Sequence, residues 1–303
     1  MALKATEVFT PGSFPTLTYV ERSGERLEQI LRDAIDTPGQ IVSLVGPSKS
    51  GKTVLVEKVV GRDVLITVTG AGVESPRDIW TRVLDWIGAP SSDTKTSGTS
   101  GKVGAEAGTS GTASFLGLVK ATGQVKGQLE IGIDREKATT FDRTGLPQVV
   151  KEIANSDFVV LVDDFHYMPR DVQAEVAKSL KEAVRLGVKV CTAAVRHRGD
   201  DLVRANPELR GRVRAVDIQY WGNADLSKIA EAGFGELGLR IDVPSVNKLV
   251  LESAGSPQLM QLLCLNACFV SGNRTRTPTS TTLEINAEQM KSLLEQASAS
   301  TDF

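Results

Sequence analysis

One segment constrains this chain more than any other, because it joins a short apolar run to a helical pattern through a turn with two glycines at fixed spacing. The apolar run is QIVSLV, and the segment after it matches G-x-x-x-x-G-K-[ST]. Its residues are Gly46, Pro47, Ser48, Lys49, Ser50, Gly51, Lys52 and Thr53. Strand, loop and helix in this order predict backbone N–H groups and a helix N-terminus that converge on one anion.

The residue types in this loop predict a nucleotide site. Lys52 would neutralise charge on the β- and γ-phosphates, and the hydroxyl of Thr53 would bind Mg²⁺. The whole loop from Gly46 to Thr53 would contact the phosphates. The guanine-reading motif Asn/Thr-Lys-x-Asp does not appear in the expected region, which favours ATP over GTP. We therefore expect ATP and Mg²⁺ as ligands.

A second apolar run, FVVLVDD, ends in two acids. Asp163 is expected to hold the magnesium ion, directly or through water. Asp164 stands where hydrolytic enzymes with this loop usually carry a glutamate that activates the attacking water. An aspartate is one methylene shorter, so we expect slow turnover. The alternative is that the two acids only cap the following helix.

Strands alternate with helices along much of the chain, which predicts an α/β fold: a P-loop NTPase with a three-layer parallel sheet. The five predicted strands are QIVSLVG and the segments 63–70, 157–165, 188–195 and 212–219. A helical pattern continues from Ala224 to about Ser298 and predicts a C-terminal helical lid. The predicted domains are an N-terminal extension (1–15), an ATPase domain (16–90 and 144–222), an insertion (91–143) and the lid (223–303).

The composition changes abruptly within the insertion. In residues 91–130, 8 glycines, 6 serines and 6 threonines make up 20 of 40 residues. Its second half alternates apolar with small or polar residues, which indicates short β-strands. Three interpretations remain open: a flexible loop, a β element that contacts partner subunits, and a hairpin that touches a membrane or nucleic acid.

Charge and cysteine content exclude several classes of protein. Lys and Arg number 35 against 37 Asp and Glu, so a global basic field for nucleic acid is absent. The 3 cysteines do not form a secreted disulfide framework, and mean hydropathy is -0.08. No window is apolar enough for a membrane span, and the first residues lack a signal-peptide pattern. We expect a cytoplasmic protein.

Together, the loop, the FVVLVDDFH segment, the run from Tyr19 to Arg22 and the sequence Gly255-Ser256-Pro257 resemble STAND-type signalling ATPases. These are relatives of AAA+ and origin-recognition ATPases, and the resemblance covers residues 15–272. It implies that Pro257 lies near the nucleotide and couples its state to the lid. It also implies an ATP-dependent switch that forms homo-oligomers and acts with a separate effector or sensor protein, in a setting such as bacterial anti-phage defence.

Arginines follow the fourth predicted strand. The resemblance gives Arg196 the position of a phosphate-sensing arginine. Arg210 and Arg212 are candidates for an arginine that completes a neighbouring subunit's site. The alternatives for this cluster are a solvated surface and local contact with nucleic acid.

Two other functions remain open from the sequence. One is a DNA-associated AAA+ ATPase that helps transposition or replication, although the net charge of -2 does not favour nucleic acid. The other is a non-hydrolysing scaffold in which the β insertion builds a ring or filament.

Overall fold

The computed structural model describes residues 2–22, 24–89, 92–95, 139–142, 145–195, 201–278 and 281–300. Its strands are β1 (Ile41–Gly46), β2 (Leu65–Thr69), β3 (Ser92–Lys95), β4 (Thr139–Asp142), β5 (Val159–Asp163), β6 (Lys189–Val195), β7 (Val213–Asp217), β8 (Leu239–Ile241) and β9 (Thr281–Leu283). Five of them form a parallel sheet in the order β2-β5-β6-β1-β7. The sheet strands predicted from the sequence are confirmed.

Helices cover both faces of this sheet. In chain order, the helices of the sheet and of the lid are α1 (Ala5–Val8), α2 (Leu27–Asp36), α3 (Lys52–Val60), α4 (Pro76–Trp86), α5 (Leu146–Ile153), α6 (Arg170–Arg185), α7 (Asp201–Ala205), α8 (Asn223–Glu236), α9 (Val243–Glu252), α10 (Pro257–Val270) and α11 (Ala287–Ser300). None of them, within the described ranges, is long and apolar enough to cross a membrane.

Alternate residues of each strand pack on opposite faces, as the two-residue period of a strand requires. In β1, Ile41 joins a core cluster with α4, α5 and α6, whereas Val42 and Leu44 join a second cluster with α2 and α3. Both faces are therefore buried, which explains why the sheet strands are almost continuously apolar. The three-layer α/β fold predicted from the sequence is confirmed.

The lid has its own core, built mainly from α8, α9, α10 and α11. The predicted helical lid is confirmed, and the structure adds one feature that the sequence did not indicate, because β8 and β9 pair in parallel within the lid. Each strand has three residues, too few for a two-residue period to stand out in the sequence. Buried Leu239 and Leu283 attach the pair to the lid core.

The N-terminal residues complete the lid core rather than standing apart from it. Ala5, Val8 and Phe9 are fully buried in the lid cluster, and the Phe9 ring packs edge-on against Phe234 with centroids 5.1 Å apart. A Cβ on Gly233 would lie 2.2 Å from the Phe9 ring, so only glycine allows this approach. The chain thus begins in the lid and then crosses to the sheet.

The start of the next helix differs from the sequence expectation. Apolar residues of the segment 20–36 fall on one helical stripe, and Ser23 as its N-cap would start the helix at residue 24, but α2 begins at Leu27. Arg26 has left-handed backbone angles (φ 49°), which interrupt a helix at that point. Val20 and Arg22, which precede α2, instead line a cavity.

The two ends of the insertion form an antiparallel pair, because β3 and β4 align Ser92 with Asp142 and Lys95 with Thr139. The strands predicted within the second half of the insertion lie outside the described residues.

We expect Phe9→Ala to lower the free energy of unfolding by about 3–5 kcal/mol, because it removes a fully buried ring and leaves a cavity. Phe14→Ala, at a partly exposed ring, should cost less. Chemical denaturation of both variants measures the difference. A loss below about 1 kcal/mol for Phe9→Ala would contradict the packing of the N-terminal residues in the lid core.

Candidate functional site

The loop between β1 and α3 lies at the carboxyl edge of the sheet, where ligands of open α/β sheets bind. A Cβ on Gly46 would lie 2.5 Å from the carbonyl oxygen of Ile218, so the loop begins at a position that only glycine can occupy. Lys49 and Gly51 have left-handed φ angles of 59° and 90°. These turns curl the loop around the N-terminus of α3.

Side chains from helix α3 and strand β5 meet beside this loop. The Thr53 hydroxyl donates a hydrogen bond of 2.6 Å to Oδ2 of Asp163, although the residues are 110 positions apart in sequence. The Lys52 ammonium donates to the carbonyls of Gly46 (3.2 Å) and Pro47 (2.7 Å). Burial lowers the pKa of Lys52, while Asp163 and Asp164 oppose this shift. The structure therefore brings three predicted site residues together.

Asp164 follows directly after β5 with a left-handed φ of 53°, and its N–H donates to Oδ1 of Asp163 (2.9 Å). Burial and the neighbouring Asp163 raise the pKa of its carboxyl group, and His166 and Lys52 oppose the rise. A carboxylate with a raised pKa accepts a proton more readily than an ordinary aspartate. Asp164 is thus suited to act as a base.

A cavity of about 410 Å³ opens over the loop. Its walls include the phosphate-loop residues from Ser48 to Thr53, both aspartates and three residues of the lid helix α10. The lid residues are Pro257, Gln258 and Gln261. Pro257 comes within 3.9 Å of where a Cβ on Gly51 would lie. The lid therefore closes one side of the cavity, and Pro257 is its nearest approach to the loop glycine.

Several residues around the cavity received no role from the sequence. The segment from Thr10 to Phe14 lines the cavity, and its amide at Thr10 donates to Gln261 (3.2 Å). Arg22 and Trp221 also line it and donate to the loop backbone. Arg22 belongs to a segment that carries the family resemblance, and this resemblance could have indicated that Arg22 lies near the site. No sequence pattern indicated Trp221, because its contacts with the loop arise only when the chain is folded.

The residues present fit a nucleotide with a magnesium ion. The Thr53 and Asp163 oxygens, 2.6 Å apart, are the hard oxygen ligands that Mg²⁺ takes. The Ser50 hydroxyl is buried and has no hydrogen-bond partner within the described part of the chain. A buried polar atom of this kind calls for a partner. Lys52 and the amides of the loop would hold phosphates.

Two of the three arginines predicted from the sequence, Arg210 and Arg212, do not line the cavity of their own chain. Arg196 lies outside the described residues, although its neighbour Val195 lines the cavity. Arg210 and Arg212 are exposed, and the Arg212 carbonyl accepts from the amide of Ile41 (2.8 Å). Arg212 therefore lies at the amino end of β1, roughly 17 Å along the strand from the phosphate loop.

Comparison with known proteins finds similar structures but no match in sequence. The chain matches no family model and no curated protein.

Many solved structures resemble the chain, including the following three. The ORC2 protein of Aeropyrum pernix, in ADPNP and ADP complexes, has a TM-score of 0.59 at 13% identity over 100% of this chain and 74% of that chain. A Walker-type ATPase of Pyrococcus abyssi has a TM-score of 0.58 at 13% identity, covering 94% and 77%. The Holliday junction branch migration motor RuvB of Thermotoga maritima has a TM-score of 0.50 at 11% identity, covering 91% and 70%. The fold of this chain is therefore the fold of P-loop ATPases.

Proposed function

We propose that this protein is an ATP-binding, slowly hydrolysing molecular switch. The observation that carries the proposal is the meeting of Thr53 with Asp163 beside Lys52, in a cavity that the lid closes. A cation, hard oxygen ligands and a curled backbone are the parts that phosphoryl transfer to water requires. Magnesium, when bound, would neutralise phosphate charge.

Each residue of the site has a task in this proposal. Lys52 pairs with the phosphates, Thr53 and Asp163 hold the metal, and the loop amides orient the phosphate chain. Asp164 positions the attacking water and accepts its proton, which its raised pKa supports. The shorter reach of aspartate, compared with glutamate, supports slow turnover.

The lid is the moving part of the proposed switch. Pro257 and Gln261 lie on one face of α10 and line the cavity, so the bound nucleotide would contact the lid directly. A ligand shifts a conformational equilibrium only through different contacts in the two states. ATP and ADP differ at the γ-phosphate, beside Lys52 and Asp164, where such a difference would act.

The exposed position of Arg210 and Arg212, remote from the loop of their own chain, supports a role in a neighbouring subunit's site. ATP would then stabilise a homo-oligomer, and hydrolysis would release it. Arg196 keeps its proposed role as a phosphate sensor. The resemblance to STAND-type ATPases adds a separate effector protein and a setting such as anti-phage defence to the proposal.

We expect Lys52→Ala to weaken ATP binding about 10- to 100-fold, because it removes a charged donor to the phosphates. Equilibrium titration with a fluorescent ATP analogue measures this effect. Lys151→Ala, which removes an exposed lysine on α5, is the matched control and should bind normally. Equal affinity and equal ATP-dependent assembly in the Lys52→Ala variant would show that the proposal is wrong.

A mixing experiment tests the arginines. Lys52→Ala and the double variant Arg210→Ala/Arg212→Ala should each lose ATPase activity. An equal mixture should recover about a quarter of the wild-type rate, because about one random interface in four joins an intact loop to intact arginines. A mixture as inactive as its components would argue against arginines acting between subunits.

A second candidate is a DNA-associated ATPase that helps transposition or replication. One similar structure is a Holliday junction branch migration motor, which is the observation that favours this candidate. The switch proposal predicts no binding of duplex DNA even at low salt. Fluorescence anisotropy over a salt series checks this, since affinity that falls steeply with salt indicates phosphate contacts and favours the DNA candidate.

A further inference from the structure

The carbonyl oxygen of Ser50, in the middle of the phosphate loop, accepts two hydrogen bonds from side chains outside the loop. The indole Nε1 of Trp221 donates at 3.0 Å, and Nη2 of Arg22 donates at 3.4 Å. Neither residue belongs to the loop or to the strand that ends in Asp163. Both lone pairs of this carbonyl are therefore occupied.

The two donors support one another. The Arg22 guanidinium lies over the Trp221 ring, 4.9 Å from its centroid. Arg22 also donates to the carbonyl of Gln219 (2.8 Å) and pairs with Glu25 (3.3 Å). Only 8% of Arg22 is exposed, so this charged side chain is held in a single arrangement by its partners. An arginine so fixed is suited to positioning a backbone group.

In a trans peptide the C=O and the N–H point in opposite directions. A carbonyl fixed on one side therefore fixes where the N–H of the same peptide unit points. The Ser50 carbonyl shares its peptide unit with the N–H of Gly51, and Gly51 lines the cavity. The next carbonyl upstream, that of Lys49, accepts from the hydroxyl of Ser256 at 3.2 Å and shares its unit with the Ser50 N–H.

We propose that Arg22 and Trp221 are positioning residues that hold the Ser50 carbonyl so that the Gly51 N–H is directed at the bound phosphates. The inference rests on the proposed function, because it assumes phosphates in this cavity. The positions of Arg22 and Trp221 in the chain imply a second effect, a link between the phosphate loop and the lid. Arg22 precedes α2, whereas Trp221 lies between β7 and the lid. The backbone N–H of Trp221 donates to the carbonyl of Gly255 at 3.0 Å.

A lid movement that displaces Trp221 would therefore release the Ser50 carbonyl and loosen the phosphate loop. Ser256, which begins the lid helix α10, would release the Lys49 carbonyl in the same movement. The phosphate loop and the lid are thus linked through backbone carbonyls, in addition to any contact that each makes with the nucleotide.

The test is Trp221→Phe, which removes the indole N–H and keeps an aromatic ring beneath Arg22. The matched control is Trp80→Phe, which removes an indole hydrogen bond to Ser179 (2.7 Å) within the sheet domain. Both variants are titrated with ATP and with inorganic tripolyphosphate. Trp221→Phe should weaken both ligands about five-fold, the effect of one hydrogen bond, and the control should leave both unchanged.

Tripolyphosphate has no nucleoside, so its affinity reports on contacts with the phosphates alone. It therefore distinguishes an effect of Trp221 on the phosphate loop from a direct contact of Trp221 with the nucleoside. If Trp221→Phe weakens ATP but not tripolyphosphate, or changes neither, the positioning role is wrong. Failure of the wild-type chain to bind either ligand would refute the proposed function itself. If Lys52→Ala abolishes the binding seen in the wild-type chain and Trp221→Phe preserves it, only the positioning role of Trp221 is refuted.

Arg22→Gln provides a second measure in case Trp221→Phe does not fold. It keeps a hydrogen-bonding side chain and removes the forked guanidinium that contacts both Ser50 and Gln219. We expect weaker binding of both ligands, and partial recovery in Arg22→Lys, which retains the charge and one donor direction. Unchanged tripolyphosphate affinity in Arg22→Gln would overturn the proposal.

Discussion

The parallel pairing of β1 between β6 and β7 is the constraint on which the rest of the structure depends. It places the carboxyl ends of the central strands at one edge and so fixes the starting point of the phosphate loop. β5 pairs with β6 in the same direction, which delivers Asp163 to the Thr53 hydroxyl at 2.6 Å. Burial on both faces of these strands makes a shift in register costly.

The cavity is not a property of the sheet alone. One of its walls belongs to the lid, and another belongs to the segment from Thr10 to Arg22, which leaves the lid core and returns to the sheet. The buried Gln261 side chain joins these two walls, because it accepts from the Thr10 amide and donates to the Thr18 hydroxyl at 2.6 Å. The cavity proposed to bind the nucleotide is therefore physically connected to the arrangement of sheet and lid.

The sequence predicted those features whose signals are local. Continuous apolar runs indicated the sheet strands, and the spacing of Gly46, Gly51, Lys52 and Thr53 indicated the loop. The features that could not be predicted from the sequence also have physical reasons. The short strands β8 and β9 show no usable period, and the start of α2 depends on the left-handed backbone of Arg26. The role proposed for Trp221 depends on a hydrogen bond across 171 positions, which no local pattern encodes.

The central claim is that the cavity above the phosphate loop binds ATP with magnesium. Isothermal titration of the intact chain with ATP, in the presence of Mg²⁺ and then of a chelator, tests this claim most directly. The account predicts saturable binding of one ATP per chain that weakens when the metal is removed. Absence of saturable binding under both conditions would contradict it.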